Sequence, residues 1–308
     1  VVRTVREHLK PHHEVFIVEM GAKQRGDIKE ICDLVCPHMG IVTSVGEMHL
    51  ETFGSLDNVL RTKFELIDAL PADGLGVINM DSEPIAAAKL NHPCRVVSYS
   101  IENEKADYRA EQINYTPAQT TFAIKNDTTL REGYSTHLVG RGNILNLLAA
   151  VAVADAMQVP EAQQKRAMRQ IEQIEHRLSI KRTAGGITII DDAYNSNPAG
   201  AKMALEVLRD FNTEGRKIVV TPGFVEMGDS QYRNNKELGV NIAAAADIAI
   251  VVNRVNREAI VAGLTEAGFD AMNIIQTDSF AEASAYLATT MRAGDVILYE
   301  NDLPDNYL

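Results

Sequence analysis

No run of apolar residues in the 308-residue chain approaches the roughly 18 to 20 that a membrane-spanning helix requires. The opening VVRTVREHLK has no apolar stretch of the kind a secretory signal carries, so a cytoplasmic location is expected. Cysteine is scarce. Cys32, Cys36 and Cys94 are odd in number and contain no CxxC pair, which excludes a disulfide framework. Cys32 and Cys36 could share a helix face as a soft-metal pair, but with no second pair nearby two buried thiols are the plainer expectation. Positive charge is also short. A formal net charge of −12, with Lys and Arg scattered, disfavours nucleic acid or an anionic membrane as the main partner. It leaves room for a small anion held by a local cation. Internal repeats and low-complexity tracts are absent, and so is the phosphate-cradling loop GxxxxGK[ST].

What is present is the composition of an ordinary globular protein, 45% hydrophobic and 23% charged, long enough for two domains. The first half alternates strand and helix. EVFIVEM (Glu14 to Met20), GIVTSV and GLGVINM (Gly74 to Met80) read as buried strands. RGDIKEICDLV and the segment from about Asp57 read as helices. Asp27 and Glu30 are spaced as a capping box before the stripe Ile28, Ile31, Leu34 and Val35. This pattern predicts a mostly parallel α/β sheet with helical crossovers. From Pro93 to about Leu138, segments such as CRVVSYSI and TTFAIKN alternate polar and β-prone residues, which predicts a small antiparallel sheet. GNILNLLAAVAVADAMQV then predicts a helix buried on most sides. After Arg177, five apolar strands and four helices, near Pro198 to Phe211, Arg233 to Ala245, Arg257 to Ala267 and Phe280 to Arg292, predict a doubly wound, Rossmann-like domain. The short basic, glycine-containing stretch RLSIKRTAGG places the boundary near 178 to 185, dividing the chain into 1–180 and 181–308.

In an open α/β sheet, ligands bind beyond the carboxyl ends of the strands. Glu19 ends the first expected strand and His49 follows the second. Lys63 lies one helix later, flanked at helical spacing by Val59, Leu60, Leu66 and Ile67, on the face that should be buried. An ammonium does not bind Mg²⁺, but a neutral amine takes up CO2 to form a carbamate, an anion with oxygen donors for a hard cation. The alternative is that Lys63 lays its stem along the core and keeps its charge in water. A second candidate is IIDDAYNSNPAG. Here Asp191 and Asp192 end a strand and Asn197 can cap a helix beginning at Pro198, an arrangement suited to a nucleotide or phosphate or simply a well-capped connection. A third is HLVGRGNILN, whose glycines and Asn143 open the Ala-rich helix, although a lone glycine pair before a helix is more often a turn than a phosphate loop. Arg177 could reach a phosphate or be an ordinary surface arginine.

Taken in order, VEMGAKQRGDI (Val18 to Ile28), HLETFGSLDNVLRTKFEL (His49 to Leu66), GVINMDSEP (Gly76 to Pro84), GRGNILNLLAAVAVA (Gly140 to Ala154) and IIDDAYNSNPAGAKMAL (Ile189 to Leu205) resemble the Mur ligases, most closely the MurF type. The resemblance implies a Mur ligase central domain and a Rossmann-like C-terminal domain. It implies ATP and Mg²⁺ as cofactors, with a UDP-N-acetylmuramoyl tripeptide and D-alanyl-D-alanine as substrates of a monomer. It implies that Lys63 is carbamylated and that Glu19, His49 and the Lys63 carbamate hold the metal. By the same resemblance Asn79 and Asn143 flank adenine, Arg177 meets the ATP phosphates, Asp192 faces the nucleotide, and Tyr194, Asn195 and Asn197 receive the amine. Lys63, His49 and Asp192 are the implied catalytic residues.

Several departures qualify the resemblance. The family carries its phosphate loop and a UDP-binding domain upstream of VEMGA. The expectation is therefore a chain that is part of a longer protein and inactive alone. Gly142 stands where the family usually has histidine, and VVTPGFVEMGDSQYRNN and YENDLPDNYL differ from the commoner MurF patterns. A different amine substrate, as in a folylpolyglutamate synthase-like ligase, or a noncatalytic nucleotide- or partner-binding fragment, are the alternatives.

Overall fold

Alternating apolar strands and amphipathic helices build two six-stranded sheets. The structure, a computed structural model, describes residues 1–46, 50–89, 92–116, 119–193, 197–225 and 227–301. Two compact units contain them. One is Val1–Glu111 with Ala123–Glu132 and Leu145–Gln164; the other is Gln112–Phe122 with Gly133–Ile144 and Lys165–Leu308.

The first sheet runs in the order β1 (Met39–Val42), β2 (Leu75–Asn79), β3 (Arg95–Ser100), β4 (Tyr108–Tyr115), β5 (Thr120–Asn126), β6 (Thr129–Thr136). β1 to β4 pair in parallel. A link of only Asp127 and Thr128 joins β5 to β6, and so short a connection can serve only antiparallel neighbours. Helices α1 (Val2–Glu7), α2 (Asp27–Val35), α3 (Leu50–Phe53), α4 (Leu56–Asp68), α5 (Glu83–Ala86), α6 (Arg141–Ala156) and α7 (Glu161–Arg169) accompany these strands. Every residue of β2 is buried, as an interior parallel strand requires. Val59, Phe64 and Ile67 of α4 pack with Val42, Ile78 and Ile85. Burial of each such side chain contributes about 1.5 to 3 kcal/mol.

Three expectations for this half are corrected. Glu14 to Met20 forms no strand, and Val15, Phe16 and Ile17 are exposed. An apolar run becomes a strand only when a neighbour completes its ladder, and no described strand pairs with this one. CRVVSYSI does not join an antiparallel sheet, because its core is β3, which pairs in parallel with β2. The capping box is absent too. Gly26 is the N-cap of α2, and Asp27 accepts from the N–H groups of Lys23 and Gln24 instead. The open N–H groups of Gly26 and Lys29 are taken by Glu65 of α4, at 2.9 and 3.0 Å. Of the two thiols beside this helix, Cys32 is buried and Cys36 exposed.

The second sheet comprises β7 (Ser179–Arg182), β8 (Thr188–Asp192), β9 (Lys217–Thr221), β10 (Ile248–Val252), β11 (Ile274–Thr277) and β12 (Val296–Glu300), in the order β11-β10-β9-β12-β8-β7. Five strands are parallel, and the sixth, β7, pairs antiparallel with β8. β7 lies within the stretch that the sequence reads as a connection. Helices α8 (Pro198–Asp210), α9 (Gln231–Ala243), α10 (Arg257–Glu266) and α11 (Phe280–Thr290) alternate with the strands, within two residues of their expected ends.

Candidate functional site

Helix α4 starts where Ser55 accepts the Asn58 N–H at 3.2 Å, and Asp57 in its first turn pairs with Arg61 at 2.7 Å. Its Val59, Thr62, Phe64 and Ile67 are buried, which draws Lys63 half under the surface. Burial pushes the Lys63 ammonium below the usual lysine range. Among the described residues no hydrogen bond or ion pair compensates it. Glu19 is exposed and belongs to no helix or strand. Among the described residues no hydrogen bond or ion pair links it to Lys63, and no cluster of three or more His, Cys, Asp or Glu side chains is arranged for a metal ion. His49 lies outside the described residues.

The carboxyl ends of β1, β2 and β3 are tied by short polar side chains. Asn79 closes β2, donates to Thr43 O at 2.7 Å and accepts the Asp81 N–H at 2.9 Å. Asp81 accepts from the Ser100 hydroxyl and from the N–H groups of Ile101 and Glu102, at 2.8 and 3.2 Å. Ser82 accepts the Val45 N–H at 3.2 Å. The loops that follow the strands are thus held as one rigid rim, the part of an α/β sheet that meets ligands.

In the second unit, the paired aspartates at the end of β8 organise the chain around Arg177. Asp191 accepts from His176 Nδ1, at 3.1 and 3.0 Å from its two oxygens. Since a carboxylate only accepts, Nδ1 carries the hydrogen. Lys181 Nζ lies 3.9 Å from Asp191 and 3.7 Å from Glu175. Asp192 accepts the Leu178 N–H at 3.0 Å. Burial raises the Asp192 carboxyl above the usual aspartate range; the Leu178 N–H lowers it, Asp191 raises it, and the Arg177 charge lowers it. His176 and Leu178 have φ of +59° and +51°. For residues with a Cβ this left-handed conformation costs about 1 to 2 kcal/mol each. Two strained residues therefore bracket Arg177.

The third motif adjoins this segment. Gly140 has φ +90°, and a Cβ there would lie 2.9 Å from Leu178 Cδ1, so only glycine lets Leu178 cover the start of α6. Asn143 in the first turn of α6 donates to Val139 O at 2.7 Å. A Cβ on Gly142 would meet nothing closer than Met203 Sδ, at 3.6 Å. Asn197 caps α8 by accepting the Gly200 N–H at 3.0 Å. Tyr194 and Asn195 lie outside the described residues. The structure thus gathers Asn143, Arg177, Asp192 and Asn197 into one unit, and Glu19, Lys63 and Asn79 into the other.

Residues 1–154 match the Mur ligase middle domain, and residues 176–299 match the Mur ligase, glutamate ligase domain. The chain belongs to the Mur ligase family. Among its Mur ligase relatives is the UDP-N-acetylmuramoyl-tripeptide--D-alanyl-D-alanine ligase of Bacillus subtilis, 26% identical over 230 residues, covering 75% of this chain and 49% of that protein. The ligase of the same name from Mycobacterium bovis is 28% identical over 311 residues, covering 92% and 59%. The crystal structure of MurF ligase from Thermotoga maritima in complex with ADP shares the fold, with a TM-score of 0.74 and 22% identity over 92% of this chain and 62% of that one. This Mur ligase chain therefore spans about half to three-fifths of the length of the curated relatives it matches.

Two features of the structure escape the sequence reading. His176 and Asp191 stand 15 positions apart, and nothing local marks them as partners. Glu65 reads as one more charge on an amphipathic helix, whereas it caps a helix 39 residues earlier. Neither Cys36 nor the run at 14–20 occupies the buried place that composition suggests.

Proposed function

We propose that this chain is the catalytic part of an ATP-dependent amide ligase of cytoplasmic peptidoglycan precursor synthesis, which joins D-alanyl-D-alanine to a UDP-N-acetylmuramoyl tripeptide. A central domain over 1–180 and a Rossmann-like C-terminal domain over 181–308 divide the work. Support comes from the two relatives named for that reaction and from the ADP-bound structure that shares the fold. The observation that carries the reading is Lys63, whose half-buried ammonium has no partner among the described residues and is pushed towards its neutral form. A neutral amine in that position adds CO2 and becomes an oxygen donor.

In the reaction, the terminal carboxylate of the tripeptide attacks the γ-phosphoryl group of ATP, and ADP leaves. The resulting acyl phosphate loses inorganic phosphate when the dipeptide amine attacks its carbonyl and releases a proton. Glu19, His49 and a Lys63 carbamate would be the residues to hold Mg²⁺, and the ion when bound would offset the repulsion between phosphate and carboxylate oxygens. Asn79 and Asn143 flank the adenine, Asn79 with the N–H and lone pair left over from Thr43 and Asp81. Arg177 takes the phosphates and Asp192 orients the nucleotide. Tyr194, Asn195 and Asn197 receive the amine, Asn197 through its NH₂ because its oxygen caps α8. Exclusion of water from the acyl phosphate keeps it for the amine.

The divergent segments at 219–235 and 299–308 bear on the amine, so its identity is tested directly. The complete gene product is expected to release phosphate from ATP with D-alanyl-D-alanine and the acyl acceptor, and not with glutamate. Release with glutamate alone would move the protein to the other branch of the family. On the 308-residue chain, labelled bicarbonate is expected to give a carbamate carbon resonance that disappears in Lys63→Arg. A spectrum unchanged by that substitution would remove Lys63 from the metal site.

A further inference from the structure

Three residues ahead of β7 hold a backbone that their own side chains disfavour. His176 and Leu178 are both left-handed, neither is glycine, and Arg177 stands between them. Two consecutive residues of β8 hold them there. Asp191 Oδ1 accepts the His176 imidazole N–H at 3.1 Å with Oδ2 3.0 Å from the same nitrogen, and Asp192 Oδ1 takes the Leu178 N–H at 3.0 Å. Leu178 is further pressed against Gly140 at the start of α6. The Asp191 side chain is 13% exposed against 54% for His176, so the acid is the better held member and the imidazole the part it locates.

We infer that the His176–Asp191 pair is a positioning device for Arg177, fixing the left-handed turn that directs its guanidinium to the anionic phosphates of a nucleotide at the carboxyl end of β8. The nucleotide rests on the function proposed above; the turn does not. An imidazole serves well because its Nδ1 sits close to the backbone and its ring cannot collapse into another bond. Asparagine is the natural substitute: its Nδ2 occupies nearly the same place as Nδ1, and it tolerates a positive φ better than other residues with a Cβ.

The test uses the 308-residue chain, with ADP as the probe. Hydrogen exchange at the Leu178 amide reports on the turn, and calorimetric titration with ADP reports on Arg177. His176→Ala is expected to speed Leu178 exchange at least tenfold and weaken ADP binding at least fivefold, with the melting temperature nearly unchanged. His176→Asn is expected to keep both close to the parent. Should His176→Ala fail to fold, Asp191→Ala removes the acceptor while leaving His176 in place and gives the same two readouts. Unchanged Leu178 exchange in His176→Ala or Asp191→Ala, or a His176→Asn variant as impaired as His176→Ala, would overturn the inference. A parent chain that binds no ADP would overturn the nucleotide assignment, while Leu178 exchange would still decide the turn.

Discussion

Asp192 is a residue held against its own preference. Burial is the largest influence on its carboxyl and lifts it above the usual aspartate range. An acid that binds its proton more tightly when folded weakens the fold at pH values above its raised value, and that cost disappears below the range of an ordinary aspartate. Asp192→Asn keeps an acceptor for the Leu178 N–H and removes the charge. The variant is expected to melt higher than the parent at pH 7, with the difference vanishing by about pH 3. Turnover of the complete gene product is expected to fall roughly tenfold or more, as when a preorganised polar group is removed from a reacting site. Thermal melts at the two pH values decide the first part; a variant less stable at pH 7 would show that Asp192 is structural.

At the scale of elements, α9 and α10 meet backbone to backbone. A Cβ on Gly263 would stand 1.9 Å from Lys236 O, and one on Gly239 would stand 2.2 Å from Ile260 O. Both contacts involve backbone atoms, which cannot swing aside. Gly263→Ala is expected to cost about 3 kcal/mol, at the upper end of overpacking effects. Gly142→Ala, whose Cβ would make only ordinary van der Waals contact with Met203, is expected to change stability by no more than about 1 kcal/mol. Urea titration of the two variants measures the difference, and equal effects would mean that the helices separate easily. These glycines also mark the limit of sequence reading. Periodicity located α9 and α10 to within two residues, because it is a local property. It could not say which helical glycine is packed and which is merely tolerated. The same holds for the candidate site: the strand end at Asp192, the half-buried place of Lys63 and the capping place of Asn197 are legible from local pattern. The His176–Asp191 pair and the Glu65 cap arise only when distant segments meet. β7 was missed because four residues at a sheet edge, two of them basic, carry no apolar run.

For the molecule as a whole, acid is the expected weak point of the second sheet. Asp295 is almost entirely buried; burial alone would raise its carboxyl. The Arg216 guanidinium and the N–H groups of Arg292 and Arg216 outweigh that and hold it below the usual range. A depressed acid stabilises the fold above the ordinary aspartate value, and the contribution is lost as pH falls through the lowered one. Asp295→Asn is expected to destabilise the chain by about 3 kcal/mol at pH 7, leaving Arg216 without its counter-charge. Its stability should then change less than the parent's between pH 5 and about pH 2. Urea melts across that window check both statements, and parallel curves would place the acid sensitivity elsewhere.

The position of β12 has a consequence for how the chain is made. It pairs on one side with β8 and on the other with β9, although it is the last of the six strands in sequence. A ribosome delivers β7 to β11 first, as two blocks of strands with a gap between them. Nothing can bridge that gap until Val296–Glu300 emerges, so the second sheet is completed from its middle, by the strand synthesised last.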